Sequence, residues 1–310
     1  MKILIVANHN KGKFTTFITE QVESLKRLGV EIDYYGVHGK GIRGYLSNRS
    51  ALIAKIREYK PDLIHAHYGL SGLLANLQRQ VPVVTTYHGS DIHSGGKVLF
   101  FSRIATWLST ANIFVTKQLL SQSRSNEQKS YVIACGIDAE LFHPIDREEA
   151  RKQLGWDLEG KYVLFAGAFD NNVKNSPLAK ASVALLPDVK LMEMRGYNRE
   201  QVCLAMNAAN CLLLTSFREG SPMVIKEAMS CATPIVSVDV GNVIETTEGV
   251  EGVYICSRDP QIIANNIQRA LEYKGKTNGR QTVINKGFTI EQVSEEILGV
   301  YKKVLARKTP

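Results

Sequence analysis

Two consecutive α/β units, each with a parallel sheet covered by helices on both faces, are what the sequence predicts. Three observations carry this. Short β-branched runs alternate with helix-spaced apolar residues from the first residue onward. The alternation breaks at a charged stretch, Asp146–Lys152, and then restarts. A length of 310 residues suits two domains better than one. Strands separated by helices are buried on both faces, so they read as continuous apolar runs rather than alternating ones.

Lys2–Ala7 reads as the first strand. Phe14, Phe17, Ile18, Val22, Leu25 and Leu28 then recur at helical spacing, and Gly29 stops that helix. Val30–Val37 is a second strand, followed by a basic glycine-rich loop and a helix over about Ser50–Tyr59. Asp62–Ala66, Pro82–Tyr87, Asn112–Thr116 and Tyr131–Ala134 read as further strands. Past the charged stretch, strands are expected at Tyr162–Ala166, Val189–Met194, Cys211–Thr215, Pro234–Val238 and Gly252–Cys256, with helices near 177–185, 200–208, 222–230, 259–273 and 290–306. The expected domains are 1–150 and 151–290, closed by a helix over 291–310. That helix carries Ile297, Val300, Tyr301 and Val304 on one face. Both units read as Rossmann-like, so ligand-binding residues belong in the strand-to-helix loops, outside the carboxyl ends of the strands.

Composition narrows the class. Apolar residues are 44% and charged residues 22%, ordinary for a globular chain. No apolar run approaches the roughly 20 residues needed to cross a bilayer. The apolar stretch at the N-terminus is too short for a signal peptide, so a cytoplasmic location is expected, peripheral at the inner membrane face. Five cysteines without a Cys-x-x-Cys pair disfavour a zinc ribbon or a disulfide framework. The net charge of +8 is uneven: residues 1–155 hold 20 Lys+Arg and 13 Asp+Glu, whereas residues 156–310 hold 18 and 17. The basic first half suits an anionic partner, a membrane face or a phosphate-bearing lipid. No zinc-finger, RRM or KH signature is present, so nucleic acid is not an expected partner.

The most informative segment runs from Thr215 to Met229. A buried strand ends, a loop carries Glu219, and a helix is expected to start with Ser221 as N-cap and Pro222 in its first position. Such a helix start offers free N–H groups to a phosphate. Glu227 lies just over one turn in, placed to accept hydrogen bonds from sugar hydroxyls. By spacing alone, a surface glutamate followed by an ordinary helix glutamate is the better reading.

Glu219-x7-Glu227, within REGSPMVIKEAMSCATPIVSVDVG, resembles the signature of family 4 glycosyltransferases. Val132–Pro144 is similar to that family's interdomain stretch, with Cys135 where Asn is usual. His65-Ala66-His67-Tyr68-Gly69 and Tyr87-His88-Gly89-Ser90-Asp91 resemble its first-domain loops. The resemblance spans nearly the whole chain. It implies the GT-B fold, two Rossmann-like domains whose parallel sheets face an interdomain cleft, and a closing helix that crosses back to the first domain. It implies a retaining transfer from a nucleotide-sugar donor to a saccharide or lipid-linked acceptor, in cell-surface polysaccharide biosynthesis.

By position, the resemblance implies that Glu227 binds the ribose and Glu219 faces the transferred sugar. The backbone of Gly220, Ser221, Met223 and Val224 would hold sugar hydroxyls and the distal phosphate. His88 would touch the donor sugar near its reacting face, and Gly12 would lie by the phosphates. Lys174 stands at a phosphate-clamping lysine position, but Ala168 occupies the place of the partner arginine. Ala cannot supply that residue's bidentate contact; Asn171, Asn172 or Lys13 are candidate substitutes. The second domain is one strand–helix unit short of the family pattern, which leaves Gly196 and Tyr197 at the nucleobase position. No Asp-x-Asp occurs, so no metal cofactor is expected.

Alternatives stay open. Ala168 fits a non-catalytic sugar-nucleotide-binding homologue, and an epimerase or a phosphorylase would share the fold. Gly39-Lys40-Gly41-Ile42-Arg43-Gly44 satisfies a dinucleotide-binding spacing but follows the second strand, so a nicotinamide dehydrogenase is disfavoured. As a flexible basic loop, that segment could meet the acceptor.

Overall fold

The structure is a computed structural model that describes residues 1–10 and 12–307. The last residues of the expected closing segment, 308–310, lie outside it. The chain divides into two compact units, Met1–Gly136 with Ile290–Pro310, and Ile137–Thr289.

The first unit holds a six-stranded sheet. Its strands are β1 (Lys2–Asn8), β2 (Glu31–Val37), β3 (Leu63–His67), β4 (Val83–Tyr87), β5 (Ala111–Phe114) and β6 (Ser130–Val132), in the order β2-β1-β3-β4-β5-β6. Every pairing is parallel. Ile3 to Ala7 are all buried, as a strand sandwiched between two helical layers requires. The helix Thr16–Arg27 covers one face through Ile18, Val22 and Leu25. Lys26 and Arg27 sit in its last turn, where the helix dipole favours cations. The final helix, Ile290–Ala306, packs on the same face: Ile297, Val300, Tyr301 and Val304 are all buried in one cluster with Ile3, Ile5 and Leu25.

The second unit holds β7 (Lys161–Phe165), β8 (Val189–Glu193), β9 (Cys211–Leu214), β10 (Ile235–Val238) and β11 (Val253–Cys256), in the order β11-β10-β9-β7-β8, again all parallel. Its helices carry their sequence signals at the ends. Asn198 and Gln201 form a capping box at the start of Arg199–Ala208. Asp259 caps Pro260–Glu272 by accepting from the backbone N–H of Gln261 and Ile262.

Two expectations are corrected. The boundary falls at residues 136–137, not near 150. Ile137 and Phe142 are fully buried in the second unit's core. Arg151, almost wholly buried, donates to the carbonyls of Ala208 and Leu158 and to Asn210 Oδ1. The charged stretch is therefore a helix of the second unit, Arg147–Leu154, capped by Asp146 and ended by Gly155. It reads as a break because its apolar stripe is only Ala150 and Leu154, with the Arg151 guanidinium as a further, polar anchor. The glycine-rich segment is also not a simple loop. It contains a short helix, Gly41–Leu46, and a Cβ at Gly39 would lie 2.8 Å from Gly44 Cα. Its glycines permit backbone to meet backbone. Among the described residues no helix is long and apolar enough to cross a membrane.

The boundary is testable at Phe142. Phe142→Ala should cost about 3–5 kcal/mol by opening a cavity. Hydrogen exchange should show protection lost in β7 and β9 and retained in β3 and β4. The reverse pattern would return residues 137–150 to the first unit.

Candidate active site

All strands within each sheet are parallel, so the loops that follow them gather along one sheet edge. In the second unit these loops are tied together. After β7, Asn171 Oδ1 accepts from Val173 N–H and shapes a turn that delivers Lys174. Lys174 Nζ lies 2.8 Å from Glu219 Oε1 in the loop after β9, with the two side chains only 22% and 16% exposed. Phe217 N–H donates to the Val173 carbonyl at 2.9 Å, and Thr215 Oγ1 donates to those of Lys174 and Asn175. From the loop after β11, Arg258 Nη2 donates to the Ser216 carbonyl at 2.9 Å. The loop after β10 presses Gly241 against the same strand end, where a Cβ would lie 2.6 Å from the Gly220 carbonyl oxygen. Its φ of +60° makes a side chain costly there as well.

The helix after this loop starts at Met223, one residue later than the sequence suggests. Pro222 is its N-cap, in an extended conformation, and Ser221 precedes the cap. The expected roles of Ser221 as N-cap and Pro222 as first helical residue are therefore corrected. A proline at N-cap has no side-chain oxygen to give the first amides. Ser221 Oγ, Ser216 Oγ and Asn242 Oδ1 are all buried near these strand ends without a hydrogen-bond partner among the described residues. The opening turn of the Met223–Ser230 helix, with Met223 and Val224, thus starts beside unused polar atoms.

Glu227 is 5% exposed, and Arg199 Nη1 lies 2.6 Å from its Oε1. The same guanidinium stacks over Phe142, 4.6 Å from the ring centre. A carboxylate this buried needs a cation beside it. Arg199 opens the helix that follows β8, just past Gly196 and Tyr197. Gly196 is exposed with φ +80°, whereas Tyr197 is half-buried against the second core. Arg199 carries little local signal in the sequence beyond its position one residue after the Asn198 cap. Of the substitutes considered for the arginine missing at Ala168, Asn171 spends its side-chain oxygen on the local turn, while Asn172 and Lys13 are exposed.

In the first unit, Gly12 is exposed at φ +71° in the turn after β1. His88, at the end of β4, joins a histidine cluster. Its Nε2 is 3.0 Å from His67 Nδ1, and its Nδ1 is 3.7 Å from Cys135 Sγ. His65 meets Tyr301 OH at 2.5 Å and Thr86 Oγ1 at 2.7 Å. Burial holds His67 down to about 3 and keeps His65 and His88 well below the usual imidazole range. His88 is therefore a neutral ring with both nitrogens engaged, unsuited to delivering a proton. Asp91 accepts from the backbone N–H of Gly69, His88 and Gly89, and burial raises it to about 6. Thus Glu219, Lys174, Gly220, Ser221, Met223, Val224 and Glu227 share one sheet edge of the second unit, while Gly12 and His88 belong to the first. Among the described residues no group of three or more His, Cys, Asp or Glu is placed to hold a metal ion.

Residues 16–141 match the family model described as Glycosyltransferase Family 4, and residues 163–273 match the one described as Glycosyl transferases group 1. Each model covers less than half of the chain, and together they make the chain similar to glycosyltransferases along most of its length. A Bacillus subtilis protein named as a teichuronic acid biosynthesis glycosyltransferase, TuaC, is 28% identical over 69% of this chain and 62% of its own length. D-inositol 3-phosphate glycosyltransferase of Mycobacterium marinum is 24% identical over 79% of this chain and 64% of its own length. The chain thus spans less than two thirds of these relatives. Sucrose-phosphate synthase from Thermosynechococcus elongatus shares the fold at a TM-score of 0.86 and 20% identity, covering 99% of this chain and 100% of that one. Anabaena HepE in complex with UDP does so at 0.78 and 17%, covering 98% and 100%.

Two predictions follow from the electrostatics. Arg199→Ala should destabilise the chain by about 1–3 kcal/mol in chemical denaturation, with Arg199→Lys recovering part of the loss. This is below the loss for a fully buried pair, because the arginine side chain keeps 29% exposure. The pH dependence has a definite sign. From pH 6.5 down to about 3, an unfolded chain takes up protons that buried His67 does not, so its contribution is full above pH 6.5 and falls with pH. His65 and His88 act in the same direction. Asp91 opposes them between pH 3.8 and about 6, where only the folded chain holds its proton. Three rings outweigh one carboxyl. The urea midpoint should therefore fall on acidification from neutrality, less steeply in His67→Gln.

Proposed function

We propose that this chain transfers a sugar from a nucleotide-sugar donor to a saccharide or lipid-linked acceptor, with retention at the anomeric carbon and without a metal ion. The observation that carries this reading is the pair of carboxylates around one helix start, each held by its own cation: Glu219 by Lys174 and Glu227 by Arg199. Glu227 Oε1 is engaged by Arg199, which leaves its second oxygen to accept from a ribose diol. Lys174 and the first amides of the Met223–Ser230 helix would meet the diphosphate. Glu219 would face the transferred sugar.

In the reaction, the bond between the anomeric carbon and the diphosphate oxygen breaks, and its electron pair leaves with the nucleoside diphosphate. The acceptor oxygen bonds to that carbon, and its proton passes to the departing diphosphate oxygen, which has gained the electron pair. Negative charge grows on the leaving group while the sugar becomes oxocarbenium-like, so fixed donors and a cation at the phosphate lower the barrier. His88 would contribute a neutral polar contact to the donor sugar, and Gly12 would allow close approach of the backbone to the phosphates. Gly196 and Tyr197 would border the nucleobase.

Names among the similar proteins support this reading: UDP and UDP-glucose appear in complexes of Anabaena HepE, and the Bacillus subtilis protein is named for teichuronic acid biosynthesis. Work in cell-surface polysaccharide assembly at an anionic membrane face, on the cytoplasmic side, is part of the proposal. The second reading, nucleotide-sugar binding without transfer, is favoured by one observation. Ala168 provides no guanidinium where the family resemblance implies one.

Calorimetry with UDP- and GDP-sugars should show affinity falling about tenfold or more in Glu227→Ala and in Lys174→Ala, a loss of about 1.4 kcal/mol or greater. Unchanged affinity in both would remove the site assignment. Glu219→Gln should lower turnover more than binding. Donor binding without acceptor-dependent release of nucleoside diphosphate would decide for the second reading.

A further inference from the structure

The helix Gly96–Leu108 of the first unit packs against the helix Gly69–Asn76 and fully buries only small residues, Ser102, Ala105 and Thr106. Leu99 packs against a core cluster and Val98, Phe101, Ile104 and Leu108 are half-buried, but two large apolar side chains face outward. Phe100 is 61% exposed and Trp107 is 77% exposed, and no other large apolar side chain among the described residues is as open as Trp107. Seven residues apart, they lie on one helix face. Lys97 is exposed and Arg103 half-buried on the same side, and the helix contains no acidic residue. Between Ile92 and Ile137 the chain carries five cations (Lys97, Arg103, Lys117, Arg124 and Lys129) against a single acid, Glu127. At its Trp107 end the helix borders a cavity of about 520 Å³, whose lining includes Arg79, Gln80, Thr110 and Arg307. Planar guanidinium groups match phosphate geometry.

We propose that this face docks on an anionic phospholipid bilayer, with Phe100 and Trp107 entering the headgroup boundary and Arg79 and Arg307 receiving a lipid phosphate. Exposed aromatics flanked by cations suit the polar–apolar boundary of a membrane. A second copy of the chain fits this face poorly, because a symmetric contact would set Lys97 and Arg103 against like charge. The inference names the element behind the membrane-side reading given above and rests on that reading.

The test is co-sedimentation of the full chain with vesicles of phosphatidylcholine alone and of phosphatidylcholine mixed with phosphatidylglycerol. The wild type should bind only the mixed vesicles, less at high salt. Brominated lipid should quench tryptophan emission in the wild type and much less in Trp107→Phe. The double variant Phe100→Ser/Trp107→Ser should bind about tenfold or more weakly, and Arg79→Gln/Arg307→Gln should lose the preference for anionic lipid, both with unaltered thermal melting. Undiminished binding in the Phe100/Trp107 variant would overturn the helix assignment and leave the membrane reading standing. No binding of the wild type would overturn both. Self-association lost in the same variant, without vesicle binding, would assign the face to a second copy instead.

Discussion

A buried carboxylate without a cation is one of the costliest groups a fold can carry, and the second unit is arranged around that constraint. Glu227 sits almost out of solvent on a helix that starts at the sheet edge, and Arg199 comes from a different loop to neutralise it. Arg199 is in turn held flat by Phe142, a residue from the stretch that enters the unit. Lys174 and Glu219 repeat the device one strand away, with more water around them. The two pairs link the loops after β7, β8 and β9. Pressing Gly241 against Gly220 adds the loop after β10. The edge of the sheet is thereby a preformed polar surface rather than four independent loops.

The first unit meets a related problem with neutral groups. His65, His67 and His88 line up behind the ends of β3 and β4, each ring bonded to a neighbour, and burial keeps all three uncharged. Tyr301 of the closing helix completes the row through His65. This is a physical reason for a segment from the end of the chain to belong with its beginning, in addition to the apolar stripe it buries. A neutral His88 with both nitrogens engaged is a fixed polar wall, and its orientation depends on His67 and Cys135.

Much of the architecture was legible in the residues. The eleven strands among the described residues lie within a residue or two of the runs that predict them; the central ones, buried on both faces, are mostly apolar, while the edge strands β2, β6, β8 and β11 are only partly buried. The closing helix shows its buried face in Ile297, Val300, Tyr301 and Val304. Errors arose where a single polar residue replaces an apolar signal. Arg151 helps to anchor a mostly charged helix that reads as a break in the pattern, and that displaces the domain boundary. At the start of the Met223–Ser230 helix, Ser221 and Pro222 were each shifted by one position, since capping preferences tolerate either register and packing chooses.

What the sequence determined by itself was the fold class, the strand and helix succession, and the loops in which polar residues gather, because periodicity and end signals are local properties of the chain. Which charges meet was decided only in three dimensions. Arg199 and Glu227 stand 28 residues apart and Lys174 and Glu219 stand 45 apart. No local pattern links them, and it is the strand order β11-β10-β9-β7-β8 that carries their loops to the same edge.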